Sequence, residues 1–139
     1  MEWAFDWCHE TTLGVDPLSP ARARGFVVQH LVEHRLLSLV DPVRLVASEL
    51  ATNAVLHAKT PFVLKLSGQE GAVTVSVEDA DPTGMPRMVP AGSPGEHGHG
   101  LRIVELLSQS WGVSTDPEGA KLVWASFAVR RPSARVASP

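Results

Sequence analysis

Apolar and polar positions alternate with period two at the start of the chain, where Trp3, Phe5 and Trp7 interleave with Glu2, Ala4 and Asp6, and this predicts a half-buried first strand. A turn-rich stretch follows over 14–19. Ser19 is expected to cap a helix with Pro20 at its first position, and Phe26, Val27, His30, Leu31 and His34 then recur at helical spacing. Asp41-Pro42 repeats that signal and opens a second helix, carried by Val43, Val46, Ala47, Leu50 and Ala54 to about His57. Residues 62–66 and 72–78 read as two strands joined by a turn at 68–71, with Val73, Val75 and Val77 on one face. From 80 to 100 the chain carries Pro82, Gly84, Pro86, Pro90, Gly92, Pro94, Gly95, Gly98 and Gly100, too many breakers for a regular element, and a long loop is expected. A third helix from Leu101 to about Ser108 leads to strands at 111–114 and 121–129. The expected organisation is one domain over 1–130 with a disordered tail over 131–139.

Composition narrows the function classes. A chain of 139 residues, 44% hydrophobic, with mean hydropathy +0.04 suits a single packed domain. A formal charge of -3 offers no basic excess to neutralise a phosphate backbone, so nucleic acid is not an expected partner. Cys8 has no second cysteine to pair with, Met1-Glu2-Trp3 lacks the basic start of a signal peptide, and His30, Glu33, His34 and Arg35 interrupt the longest apolar stretch. A cytoplasmic protein without membrane contact is expected.

Three constellations could carry chemistry. Glu49 and Asn53 on the second helix lie about 40° apart around the axis and about 6 Å apart along it, close enough to serve one ligand. On their own they are first of all the polar side of an amphipathic helix. As a site, an amide oxygen suits a magnesium ion that shares phosphate oxygens, and a neighbouring carboxylate can orient or deprotonate a nucleophile. Asp79 ends the apolar strand 72–78, where a carboxylate facing a pocket can accept a hydrogen bond from an exocyclic amino group such as that of adenine, although an Asp near Pro82 is also an ordinary turn former. Asp81, next to the proline, reads as the turn residue. Gly98-His99-Gly100-Leu101 leads from the loop into an apolar helix, an arrangement that lets backbone N–H groups approach phosphate oxygens. Gly119-Ala120-Lys121 reads by itself as a hairpin turn entering the last strand. Glu96, His97 and His99 lack further ligands at zinc-like spacing and are expected to be exposed rather than to bind a structural metal. The four tryptophans read as sheet-face packing.

In this order, Glu49-Leu-Ala-Thr-Asn53-Ala-Val-Leu-His-Ala58 resembles the N box of the GHKL ATPase superfamily, the gyrase, histidine-kinase and MutL type, and Gly98-His-Gly-Leu-Arg-Ile-Val104 resembles its glycine box. The likeness is nearest to the anti-sigma regulatory branch of serine protein kinases, continues through Trp111-Gly-Val113 and Gly119-Ala-Lys-Leu-Val-Trp124, and covers nearly the whole chain. Two features depart from the wider superfamily: Asp79-Ala80-Asp81-Pro82 lacks the glycines after the aspartate, and the final box lacks a threonine.

The resemblance implies an α+β fold, a two-layer α/β sandwich with a mixed, largely antiparallel sheet covered by helices. It implies Asn53 as the magnesium ligand, Glu49 as general base, Asp79 as the reader of adenine, and Gly98, His99, Gly100 and Leu101 around the phosphates of ATP. It further implies γ-phosphate transfer to a serine of a small antagonist protein, a sigma factor as the alternative partner, and a homodimer. A non-catalytic binding module on the same fold is the competing reading. The chain is short for a detached ATPase carrying a transducer domain.

Overall fold

Strand β1 (Trp7–Leu13) alternates half-buried and exposed residues until the buried Leu13, so Trp7, His9, Thr11 and Leu13 share one face. Of the residues of the expected first strand, Trp7 opens β1, where β-branched Thr11 and Thr12 continue the extended pattern, and residues 1–5 lie outside the described residues. A computed structural model describes residues 6–58, 60–79, 98–115, 117 and 120–129, with only the backbone described at 58 and 98–101.

Helix α1 (Ser19–Glu33) starts differently from the sequence expectation. Ser19 is fully buried inside the first turn, and its hydroxyl donates to the Gly14 carbonyl at 2.7 Å instead of capping. Asp16 holds the entry, its carboxylate accepting from the Leu18 N–H at 2.8 Å and its carbonyl from Ser19 N–H at 2.9 Å. The helix stops where Arg35 adopts φ 61. Leu36 N–H then bonds the Leu31 carbonyl at 2.8 Å and Arg35 N–H the Val32 carbonyl at 3.0 Å, a Schellman closure in which Leu31 and Leu36 are both buried.

A short 3₁₀ turn, Leu37–Leu39, runs directly into α2 (Val40–Asn53). Asp41 is thus not the cap. It lies in the first turn, favourable to the helix dipole, and pairs with Arg44 at 3.0 Å. Val43, Val46, Ala47, Leu50 and Ala51 form the buried stripe.

Strands β2 (Phe62–Gln69) and β3 (Ala72–Asp79) form a hairpin closed by two residues, tighter than expected. Glu70 and Gly71 take φ 53 and φ 78, the two positive values that let a two-residue turn follow the strand twist. Helix α3 (Gly98–Leu107) leads to β4 (Ser110–Thr115), and β5 (Lys121–Ala128) returns between β4 and β3. The sheet order is β1-β2-β3-β5-β4 and every described pair is antiparallel, so the parallel component of the expected mixed sheet is not among the described pairs.

Strand register places Leu13, Phe62, Leu64, Leu66, Val73, Val75, Val77, Ala125 and Phe127 on one face, all buried, and α1 and α2 pack against that face. Each large side chain fully removed from water here contributes about 1.5–3 kcal/mol. The result is the expected two-layer α+β architecture. No helix among the described residues is long and apolar enough to cross a membrane. Residues 1–5, the breaker-rich segment over 80–97 and the tail over 131–139 lie outside the described residues.

Candidate functional site

Glu49 and Asn53 occupy the last turn and a half of α2, each half-buried beside the fully buried Leu50 and Ala51. They flank the apolar stripe rather than pointing away from it, which is unlike a purely solvated helix face. The turn that carries them is fastened to its surroundings. Thr52 Oγ1 donates to the Ser48 carbonyl at 2.8 Å, and Ser48 Oγ accepts from Arg24 of α1 at 2.9 Å. Immediately after Asn53 the helix widens into a π-turn, Ala54–Ala58, which includes His57 and touches β3. Such widenings break the regular hydrogen-bond ladder and concentrate at functional sites.

Asp79 closes β3 on the helix-covered face, following Val73, Val75 and Val77, and is 5% exposed. Its register partners are Phe62 of β2 and Lys121 of β5. Phe62 is 1% exposed and Lys121 6%. An acid and a base are therefore buried together at one end of an otherwise apolar sheet face, which a simple turn residue has no reason to do. Sequence reasoning assigned Lys121 no role. Its signal was a lysine opening an apolar strand at a position whose face is otherwise valine, alanine and phenylalanine. Thr60, two residues before Phe62, adds a buried hydroxyl without a hydrogen-bond partner at that strand's start. Buried polar atoms are nearly always paired, so this oxygen is available to a ligand or an ordered water.

Helix α3 begins at Gly98, so the glycine pair forms its first turn and not the end of a loop as expected. Backbone N–H groups of the first turn have no intrahelical partner and carry the positive end of the helix dipole. No acidic side chain occupies that turn. Helix α3 packs on α2 and β4. Glu49 and Asn53 on α2, Asp79 at the end of β3 and the 98–101 turn of α3 thus belong to α2 and to two elements that each contact it. The residues fit a nucleotide in kind: an amide oxygen, a buried acceptor beside apolar walls, and free backbone donors. Asp81, Glu96 and His97 lie outside the described residues, as does Gly119.

Residues 16–125 match the histidine kinase-like ATPase domain family. The fold is similar to the crystal structure of the RsbU and RsbW domains of Rv1364c from Mycobacterium tuberculosis, with TM-score 0.67 and 19% identity, over 91% of this chain and 34% of that one. The chain spans about a third of the length of that structure. No curated protein sequence matches it significantly.

Proposed function

Since the chain belongs to the histidine kinase-like ATPase domain family, we propose that it binds Mg-ATP between α2, the end of β3 and the start of α3, and phosphorylates a serine on a small antagonist protein as a partner-switching anti-sigma factor. The observation that carries the nucleotide reading is Asp79, a carboxylate buried beside Lys121 at one end of a sheet face whose remaining buried residues are apolar. A carboxylate oxygen there accepts from an exocyclic amino group, while Val77 and the neighbouring apolar walls suit the faces of a purine.

Asn53 would hold the magnesium ion through its amide oxygen, and the N–H groups of the 98–101 turn would cradle phosphate oxygens. When bound, ATP supplies the γ-phosphoryl group and magnesium spreads its charge. Glu49, one turn before Asn53, takes the proton of the attacking serine hydroxyl as the new O–P bond forms and ADP leaves. The anti-sigma assignment rests on the N box and glycine box, whose order along the chain resembles that branch, and the likeness to a structure containing an RsbW domain accords with it. A phosphate added to the antagonist brings nearly two negative charges to the interface and weakens its grip, freeing this chain for a sigma factor. A homodimer is part of the same proposal.

Calorimetric titration with ATP, with and without magnesium, tests the reading. Magnesium-dependent binding is expected, with ATP preferred over GTP because guanine presents the acceptor O6 to Asp79 where adenine presents its N6 amino donor. If neither nucleotide binds, the chain is a nucleotide-independent protein-binding module on this fold.

A further inference from the structure

A second polar cluster lies away from α2 and β3, where β1 faces α1. Trp7 and His9 project from the inner face of the edge strand toward His30, Glu33 and His34 at the end of α1. His9 and His30 stack with centroids 3.8 Å apart and planes 8° apart, and Trp7 and His34 stack at 3.8 Å and 10°. His9 Nε2 and His34 Nε2 are 2.9 Å apart, and His30 Nδ1 and Glu33 Oε1 are 2.8 Å apart. Three imidazoles and a carboxylate thus converge on one corner of the fold. None is needed for the nucleotide chemistry.

We propose that His9, His30 and Glu33 bind a divalent transition-metal ion of the zinc class, with His34 as the outer partner that orients His9. One ligand atom from each of the three residues lies within 4.8 Å of the other two. In a tetrahedral site with bonds of 2.0–2.1 Å such atoms stand about 3.4 Å apart, and the stacked His9 and His30 rings must rotate for their in-plane lone pairs to converge on the ion. His30 and Glu33 are three residues apart on a helix and therefore neighbours on its surface. The proton they now share at 2.8 Å is what the ion replaces, in keeping with the proton release that accompanies metal binding.

The His9–His34 hydrogen bond occupies Nε2 and leaves Nδ1 of His9 for the metal. A ligating histidine characteristically uses its second nitrogen in this way. Burial, with the nearby His30 adding to it, lowers the basicity of His9, and hydrogen bonds from Gln29 and then His30 lower that of Glu33. The His30 side chain is 15% exposed and that of Glu33 51%, so solvent reaches the site. Two imidazoles and one carboxylate leave a fourth position to water. Two nitrogen donors favour zinc, nickel or cobalt over magnesium or calcium. The ion would tie the edge strand to α1.

The test is titration of the tag-free full chain with cobalt(II), followed by its visible absorption, then displacement by zinc(II). One equivalent with a low-symmetry nitrogen and oxygen spectrum is expected. Glu33→Gln changes an exposed side chain and should leave the circular dichroism intact while weakening uptake roughly tenfold or more. His9→Asn should weaken it further, and the paired His97→Gln, His99→Gln variant should bind as the parent does. Absence of stoichiometric uptake by the parent overturns the site. So does uptake that Glu33→Gln and His9→Asn leave unchanged, or that the His97, His99 pair abolishes.

Discussion

Asp79 and Lys121 stand directly opposite each other on β3 and β5, on the helix-covered face, with exposures of 5% and 6%. Removing one member of such an arrangement leaves the other charge buried among apolar groups, at a cost of about 3–5 kcal/mol. Asp79→Leu and Lys121→Met should therefore each destabilise the chain strongly in urea denaturation, and the double variant should lose clearly less than the sum. Additivity within about 0.5 kcal/mol would show that the two charges do not sense each other.

Asn53→Ala and Glu49→Gln should separate binding from chemistry. Both positions are half-buried, and neither belongs to the apolar stripe of α2, so each variant should fold. Asn53→Ala is expected to weaken magnesium-dependent ATP binding by about tenfold or more, roughly 1.4 kcal/mol. Glu49→Gln should bind ATP as the parent does and transfer phosphate about 10²–10⁴-fold more slowly. Equal loss of binding in both would argue that Glu49 holds the nucleotide instead of the proton.

Two glycines serve as seats for tryptophans. A Cβ at Gly68 would run into the Trp7 indole across β1 and β2, and one at Gly112 would come within 2.9 Å of Trp124 Cζ2 across β4 and β5. Gly68→Ala and Gly112→Ala should each cost about 1–3 kcal/mol, as insertion into a packed contact does. Tryptophan emission should shift in both, since each moves an indole from its seat.

The reverse holds where a side chain sits in a conformation made for glycine. Arg35 at φ 61 ends α1, and Glu70 at φ 53 begins the hairpin turn. Arg35→Gly and Glu70→Asn should each raise stability by up to about 1 kcal/mol, read as a higher midpoint in denaturation. A loss at Glu70→Asn would mean that the Glu70 side chain holds the turn by other contacts.

Much of this arrangement was legible in the sequence, and the gaps have physical causes. The stripe from Val43 to Ala54 and the valines at 73, 75 and 77 gave α2 and β3 with the correct buried faces, because periodicity reports burial directly. Ser or Asp before Pro has the chemistry of a helix cap, whereas here Ser19 serves the Gly14 carbonyl and Asp41 pairs with Arg44, so both helices start elsewhere than the sequence suggests. Gly98 and Gly100 disfavour helix locally and so read as loop, yet α3 includes them. For the candidate site, the ordered boxes singled out Glu49, Asn53, Asp79 and the 98–101 turn. The contact of Asp79 with the β5 register was not readable, because cross-strand pairing depends on the return of β5 beside β3. The His9, His30, Glu33 and His34 cluster was equally out of reach, since residues 21 or more apart in sequence meet only through packing of β1 on α1.

The central claim is that one nucleotide touches α2, the end of β3 and the start of α3 together. Two-dimensional amide NMR spectra of the labelled chain, recorded while Mg-ATP is added, test it most directly. The largest shifts are expected at Asn53, Asp79 and the amides of 98–101, with His9 and His34 little changed. An unchanged spectrum, or shifts centred elsewhere than these three elements, would contradict it.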